Sequence, residues 1–228
     1  MFDCEALQAH SNSAAADIPT LTSTFIDSLA SRGKIINCFN ARVIATELVW
    51  PQQEYLASYA DALRRGWSPD NLRLAVKDEE LAAIEQDAAL FLERKVDREG
   101  VGPPIILPDG TVINRLPGYH RWMWDGEFCG SIGFRWQPGT NDLPPYVMGH
   151  IGFSVVPWKR RRGYATRALA ALLPECRAEG LDYVELTTDE TNTASQHVII
   201  ANGGKLHERF VKPPQYGGAP SMRFRIYL

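Results

Sequence analysis

Val155-Val156-Pro157-Trp158-Lys159-Arg160-Arg161-Arg162-Gly163-Tyr164-Ala165 joins a strand to a helix through a basic turn. Two β-branched residues end the strand and Pro157 closes it. After Gly163 the apolar spacing becomes helical: Ala165, Ala168, Leu169, Leu172, Leu173 and Cys176 share one face, as in a buried crossover helix. A helix start leaves backbone N–H groups unpaired at the positive end of the helix dipole, and both suit a pyrophosphate. Gly163 and Ala165 are small enough to let phosphates approach the backbone. The dipole contributes only about 0.3–1 kcal/mol at an exposed site, so the arginines must supply much of the attraction. Alone, a basic turn is an ordinary solvated surface; its place between strand and helix gives it a chemical meaning. Neither a Walker phosphate loop nor a Gly-x-Gly-x-x-Gly fingerprint competes with it.

Upstream, His120 to Trp124 and Phe128 to Trp136 read as strands around the tight-turn pair Asp125-Gly126, and Val147 to Val156 as the strand entering the basic turn. Residues 100 to 118 read as loop or a small hairpin. Before them, Arg42 to Trp50 predicts a strand. Leu56, Tyr59, Ala60 and Leu63 predict one amphipathic helix, and Leu81, Ile84, Ala88, Phe91 and Leu92 a second. Downstream, Tyr183 to Thr188 reads as a strand and Thr193 to Ala201 as a short helix ended by Asn202-Gly203-Gly204. Lys205 to Phe210 and Met222 to Leu228 close the pattern as strands. Pro174 predicts a kink or an early end in the crossover helix, because it removes the bond to Ala170. Residues 1–40, rich in Ala, Ser and Thr, read as a poorly ordered extension with at most a weak helix at Phe25, Ile26 and Leu29; residues 41–228 form the expected domain.

The whole chain has 228 residues, 45% hydrophobic and 22% charged, which is the composition of a soluble globular protein with one sizeable core. A net charge of -3 argues against a general nucleic-acid binder. Cys4, Cys38, Cys129 and Cys176 lack metal or redox spacing, so no metal site and a reducing cytoplasm are expected. No apolar run approaches the ~20 residues that cross a bilayer, so no membrane partner is expected.

Gly149 to Ala165, with Arg160, Gly163 and Ala165 in an Arg-x-x-Gly-x-Ala pattern, resembles the central motif of the GNAT superfamily of N-acyltransferases. Asp189 to Ser195, followed by Asn202-Gly203-Gly204, is similar to its second motif, in which an Asn opens a short helix beside the pantetheine arm. The resemblance implies an α/β fold of α+β type: a mixed, largely antiparallel sheet of about six to seven strands flanked by helices. It implies transfer of an acetyl group from acetyl-CoA, as co-substrate, to a primary amine by direct attack. Val155, Val156, Arg160, Arg161, Arg162, Gly163, Tyr164, Ala165, Asn192 and Ser195 would hold the donor. The strand before the phosphate turn splays from its neighbour in this family, leaving N–H groups for the pantetheine and the thioester carbonyl.

An amine with a pKa near ~10.4 is almost wholly protonated at neutral pH, so a base helps. His150 occupies approximately the place of a family carboxylate, with Glu127 and Glu185 as rivals. Many members place a Tyr seven residues after the motif Asn; here that residue is Ile199, which leaves Tyr216 or Tyr164 as acid candidates and keeps open a non-catalytic acyl-CoA sensor. Trp122, Trp124, Phe134 and Trp136 would line the acceptor pocket or the core, and Cys129 reads as a buried thiol rather than a nucleophile. The acidity leans slightly towards a cationic acceptor, and homodimerisation stays open.

Overall fold

Residues 46–71, 73–106 and 110–228 are described by a computed structural model. The expected extension at 1–40 and the start of the strand expected from Arg42 lie outside them. The chain opens with β1 (Glu47–Val49), α1 (Gln53–Arg64), α2 (Val76–Gln86), α3 (Ala88–Glu93) and β2 (Val96–Asp97). A small hairpin follows, β3 (Ile105–Ile106) with β4 (Val112–Ile113), then the long pair β5 (Gly118–Trp124) and β6 (Phe128–Arg135). β7 (Ile151–Val155), α4 (Tyr164–Ala178), β8 (Tyr183–Asp189), α5 (Thr193–Ala201), β9 (Lys205–Val211) and β10 (Pro220–Tyr227) complete it.

Every strand pairing is antiparallel, and the larger strands form two sheets, β1-β5-β6-β7 with β2 added to β5, and β8-β10-β9. The expected single sheet is therefore divided between β7 and β8. α4 packs Ala168, Leu169, Leu172 and Cys176 over the division, against Ile132, Phe134, Val184 and Leu186. On the other side of the first sheet, Leu56, Tyr59 and Leu63 of α1 meet Trp122 and Phe128. The sheet is thus packed on both faces, except where His120, Arg135 and Gly152 stay exposed on the second. Of the four aromatic residues weighed for the acceptor pocket, Trp122, Phe134 and Trp136 are core, while Trp124 is half-buried against Tyr55.

Three local expectations change. The second amphipathic helix is two helices, because Asp87 leaves helical geometry and accepts a bond from the Leu90 N–H as the cap of α3. The strand expected from Val147 begins at Ile151, since the residues before it bond to β8 instead: the Met148 carbonyl accepts from Thr187 and the His150 N–H donates to the Glu185 carbonyl at 2.8 Å. A Cβ on Gly149 would lie 2.9 Å from that same carbonyl, so only glycine allows the approach. Finally, α4 runs through Pro174 to Ala178 rather than ending early. Pro174 and Ala170 are both exposed, so water can reach the carbonyl that the missing N–H leaves unbonded. Pro174→Ala should therefore restore a helix bond and raise the unfolding free energy by about 1–3 kcal/mol. Urea denaturation checks it; a loss of stability would mean that Pro174 fits the helix without cost.

Candidate active site

The turn between β7 and α4 holds two left-handed residues, Arg161 at φ 64 and Gly163 at φ 77. Arg161 is the one non-glycine residue with positive φ among the described residues. Gly163 stands at the N-cap of α4 and supplies no side chain, and the first helix bond is Arg167 N–H to the Gly163 carbonyl. The N–H groups of Tyr164, Ala165 and Thr166 consequently have no partner within the helix. A Cβ on Gly163 would come within 2.7 Å of Arg167 Nη1. Arg167 fixes the turn from behind, donating to the Arg162 carbonyl at 3.0 Å and to Thr46 Oγ1 at 2.7 Å. Arg160 folds back, its Nε 3.1 Å from the Val155 carbonyl, while Arg161 and Arg162 stay exposed.

The turn is also tied to the β5–β6 hairpin by a buried ionic group. Lys159 and Asp125 pair with only 5% of either side chain exposed, Tyr164 donates its hydroxyl to the same carboxylate, and Glu127 takes a second bond from Lys159 at 2.7 Å. Burial opposes ionisation of Asp125, but the bonds from Lys159, Tyr164 and Cys129 outweigh it and hold its pKa below the ordinary carboxylate value.

β7 spends half its backbone on β6. Val156 N–H bonds the Cys129 carbonyl and Arg135 N–H bonds the His150 carbonyl, so with the register Gly130↔Val155 the even-numbered residues of β7 face β6. Ile151, Phe153 and Val155 direct their N–H groups to the other side, where β8 has parted from the strand and no ladder forms. Val156 therefore cannot offer its N–H to a donor, contrary to expectation, and its side chain is buried in the second core. Phe153 and Val155 can. Across the gap, Asn192 caps α5 by accepting from the Ser195 N–H at 3.1 Å. Ile199 is buried and packs under Gly204, where a Cβ would meet its Cγ2 at 2.3 Å.

The expected proton-transfer groups mostly fall away. His150 is fully buried; its Nδ1 accepts the Glu185 N–H at 2.9 Å, so the neutral ring carries its proton on Nε2 and offers no lone pair. Burial pushes its pKa down to about 4, with Glu185 opposing. Glu185 points away from the gap and is clasped by Arg225 at 2.7 Å and Arg223 at 3.6 Å. Glu127 belongs to the Lys159 group. Tyr164 is buried and bonded to Asp125, and burial with that bond pushes its pKa up to about 12, which removes it as an acid. Cys129 is buried, and its thiol is pushed up to about 12, first by burial and then by Asp125. Tyr216 also borders the groove beside the split, its hydroxyl donating to the Tyr146 carbonyl; burial raises its pKa, with Arg135 opposing.

Residues 50–201 match the family model described as Acetyltransferase (GNAT) family. The chain belongs to that family. No curated protein matches it. Among solved structures, it is similar to the microcin C7 self-immunity acetyltransferase MccE in complex with acetyl-CoA and AMP, with 12% identity, a TM-score of 0.54, and coverage of 80% of this chain and 92% of that one. It is also similar to RimL, a ribosomal L7/L12 alpha-N-protein acetyltransferase in complex with coenzyme A, with 14% identity, a TM-score of 0.53, and coverage of 80% and 94%. At these identities the likeness is one of fold.

In this GNAT chain the groove continues from the split onto the face of the first sheet that lies under α1 to α3. His120 of β5, Gly133 of β6 and Gly152 of β7 form one row across it. A Cβ on Gly133 would lie 2.9 Å from His120 Cδ2 and Nε2, so the missing side chain lets the imidazole lie across β6. The ring is open to the groove though protein surrounds it; that packing, then Lys95 and Arg135, lower its pKa, and its access to the groove limits the share of burial. The sequence reading missed His120 because the row exists only once strand register is known. No described helix is long and apolar enough to cross a membrane.

Asp125→Asn removes one partner of a buried pair and should cost about 3–5 kcal/mol. Because the folded pKa of Asp125 lies below its unfolded value of about 3.9, its contribution is present above that pH and is lost as pH falls through the folded value. The variant should lose less stability than the parent below about pH 4. Denaturation at stepped pH checks both.

Proposed function

We propose that this GNAT chain transfers an acetyl group from acetyl-CoA to an amine within a ternary complex. The uncapped start of α4, beneath a turn carrying Arg160, Arg161 and Arg162 at the end of a strand that has left its neighbour, carries the reading. The pyrophosphate sits on the N–H groups of Tyr164, Ala165 and Thr166, and the pantetheine runs between β7 and α5 past Asn192. The thioester oxygen faces the outward N–H groups of Phe153 and Val155; a donor aimed at the developing oxyanion is worth about 3–4 kcal/mol.

The acceptor enters from the His120 face. Its nitrogen, made neutral by loss of the ammonium proton to solvent, attacks the thioester carbon; the C–S bond breaks, the proton displaced from nitrogen passes to His120, and the thiolate takes a proton from Tyr216 or from water. A lowered pKa keeps His120 neutral, and thus able to accept a proton, at pH 7. Ile199 in place of the family's Tyr supports a second reading, an acyl-CoA sensor without turnover.

Acetyl-CoA at a hundred times its dissociation constant should stabilise the protein by about 2.7 kcal/mol, and Arg160→Ala should weaken that shift. A melting curve that acetyl-CoA and CoA leave unmoved would remove the donor site. His120→Gln should lower kcat by about 100- to 10,000-fold and erase the acid limb of the pH profile, with CoA binding retained. Binding without thiol release from any amine would favour the sensor.

A further inference from the structure

Arg135 is the one groove-lining arginine on the central strands among the described residues, and it stands beside the glycine floor with neutral Tyr216 near it. It follows Gly133 on the same face of β6 and reaches diagonally, its Nη2 4.0 Å from where a Cβ on Gly152 would be. Its backbone N–H is used by His150, but its guanidinium makes no hydrogen bond or ion pair among the described residues. Neighbouring protein lowers its pKa, with Tyr216 opposing, yet the side chain is exposed and opens into the groove. A guanidinium stays charged at any ordinary pH, so this exposed, unpaired one presents a fixed positive charge to whatever enters the groove.

The groove's carboxylates do not relieve it. Glu80 is taken by Lys95 at 2.7 Å and by the Tyr59 hydroxyl, Glu79 by Arg73 at 2.6 Å, and Asp97 by the N–H groups of Val101 at 3.0 Å and Gly102 at 2.9 Å. The field near the floor is positive enough that Lys95 and Arg135 both oppose protonation of His120. An anion is what the site lacks. A carboxylate matches the guanidinium fork with two parallel bonds, which a thioester or an amide oxygen cannot do.

Gly133 and Gly152 face each other as a hydrogen-bonded pair, with Cα atoms about 5.5 Å apart. His120 overlies the first and Arg135 the second. We propose that Arg135 anchors the carboxylate of a small amino-acid acceptor, holding its amine between His120 and the thioester. This replaces the slight lean towards a cationic acceptor drawn from net charge, because the groove's local field has the opposite sign. The inference rests on the acyl-transfer reading above.

The test compares the protein amino acids with their carboxamides and with the amines left by removing the carboxylate, following thiol release from acetyl-CoA. The wild-type protein should favour at least one free amino acid over both neutralised forms by tenfold or more in kcat/KM. Arg135→Gln should raise KM for that amino acid tenfold or more, bring the ratio near one and leave KM for acetyl-CoA within twofold; Arg135→Lys should recover part of the preference. Equal use of amino acid and carboxamide, preference for a phosphorylated amine or a peptide, or a rise in the acetyl-CoA KM in Arg135→Gln would each overturn the proposal. Should no compound turn over, calorimetry of the amino acids into the CoA-bound protein decides, and absence of binding sinks it. A CoA-induced melting shift without carboxylate preference would leave the donor site standing and remove only this inference.

Discussion

β7 has two edges and bonds only one of them. Its even-numbered residues are tied to β6, while hydrogen bonding with β8 is confined, among the described residues, to Met148 and His150, where Gly149 permits the backbones to meet. Beyond that point the strands part, and two backbone N–H groups that any closed sheet would use are left facing a gap. An unpaired N–H in a protein interior is unfavourable, so such an opening persists only where the rest of the fold holds it and where something else can bond there. His150 serves this geometry: buried, neutral and bonded through Nδ1 to β8, it pins the point from which the strands diverge.

The turn after β7 depends on a second constraint. Consecutive basic residues repel one another, and Lys159 relieves this by facing inward to Asp125 and Glu127 while Arg161 and Arg162 face out. The hairpin turn at Asp125, the base of α4 at Tyr164 and the basic turn are thereby bonded to one another. Buried pairs of this kind add little net stability over an apolar packing, yet losing one partner is costly. Positioning is the role that fits such a group here.

The order of elements was largely legible because period-2 and helical patterns in β5, β6, α4 and α5 agree with turn residues at their ends. The basic turn between β7 and α4 was legible too, since its residues are contiguous. What escaped the sequence depends on register and side: Val156 turns its N–H to β6 while Val155 turns its own to the gap, and the row of His120, Gly133 and Gly152 exists only once the strands are paired. His150 looked like a base from its position on the strand, but its burial and its bond to Glu185 are tertiary facts. Helix α4 crosses Pro174 because that residue faces water, which local propensity does not encode. Net charge does not encode the groove either, for a net acidic chain holds Arg135 there without a hydrogen bond or ion pair among the described residues.

Amide hydrogen exchange with and without CoA addresses the split edge and the helix start together. Phe153, Val155, Tyr164, Ala165 and Thr166 should exchange quickly in the free protein and become protected when CoA binds, with Val156 protected in both states. Protection appearing elsewhere, with these five amides unchanged, would contradict a donor site built between β7 and the start of α4.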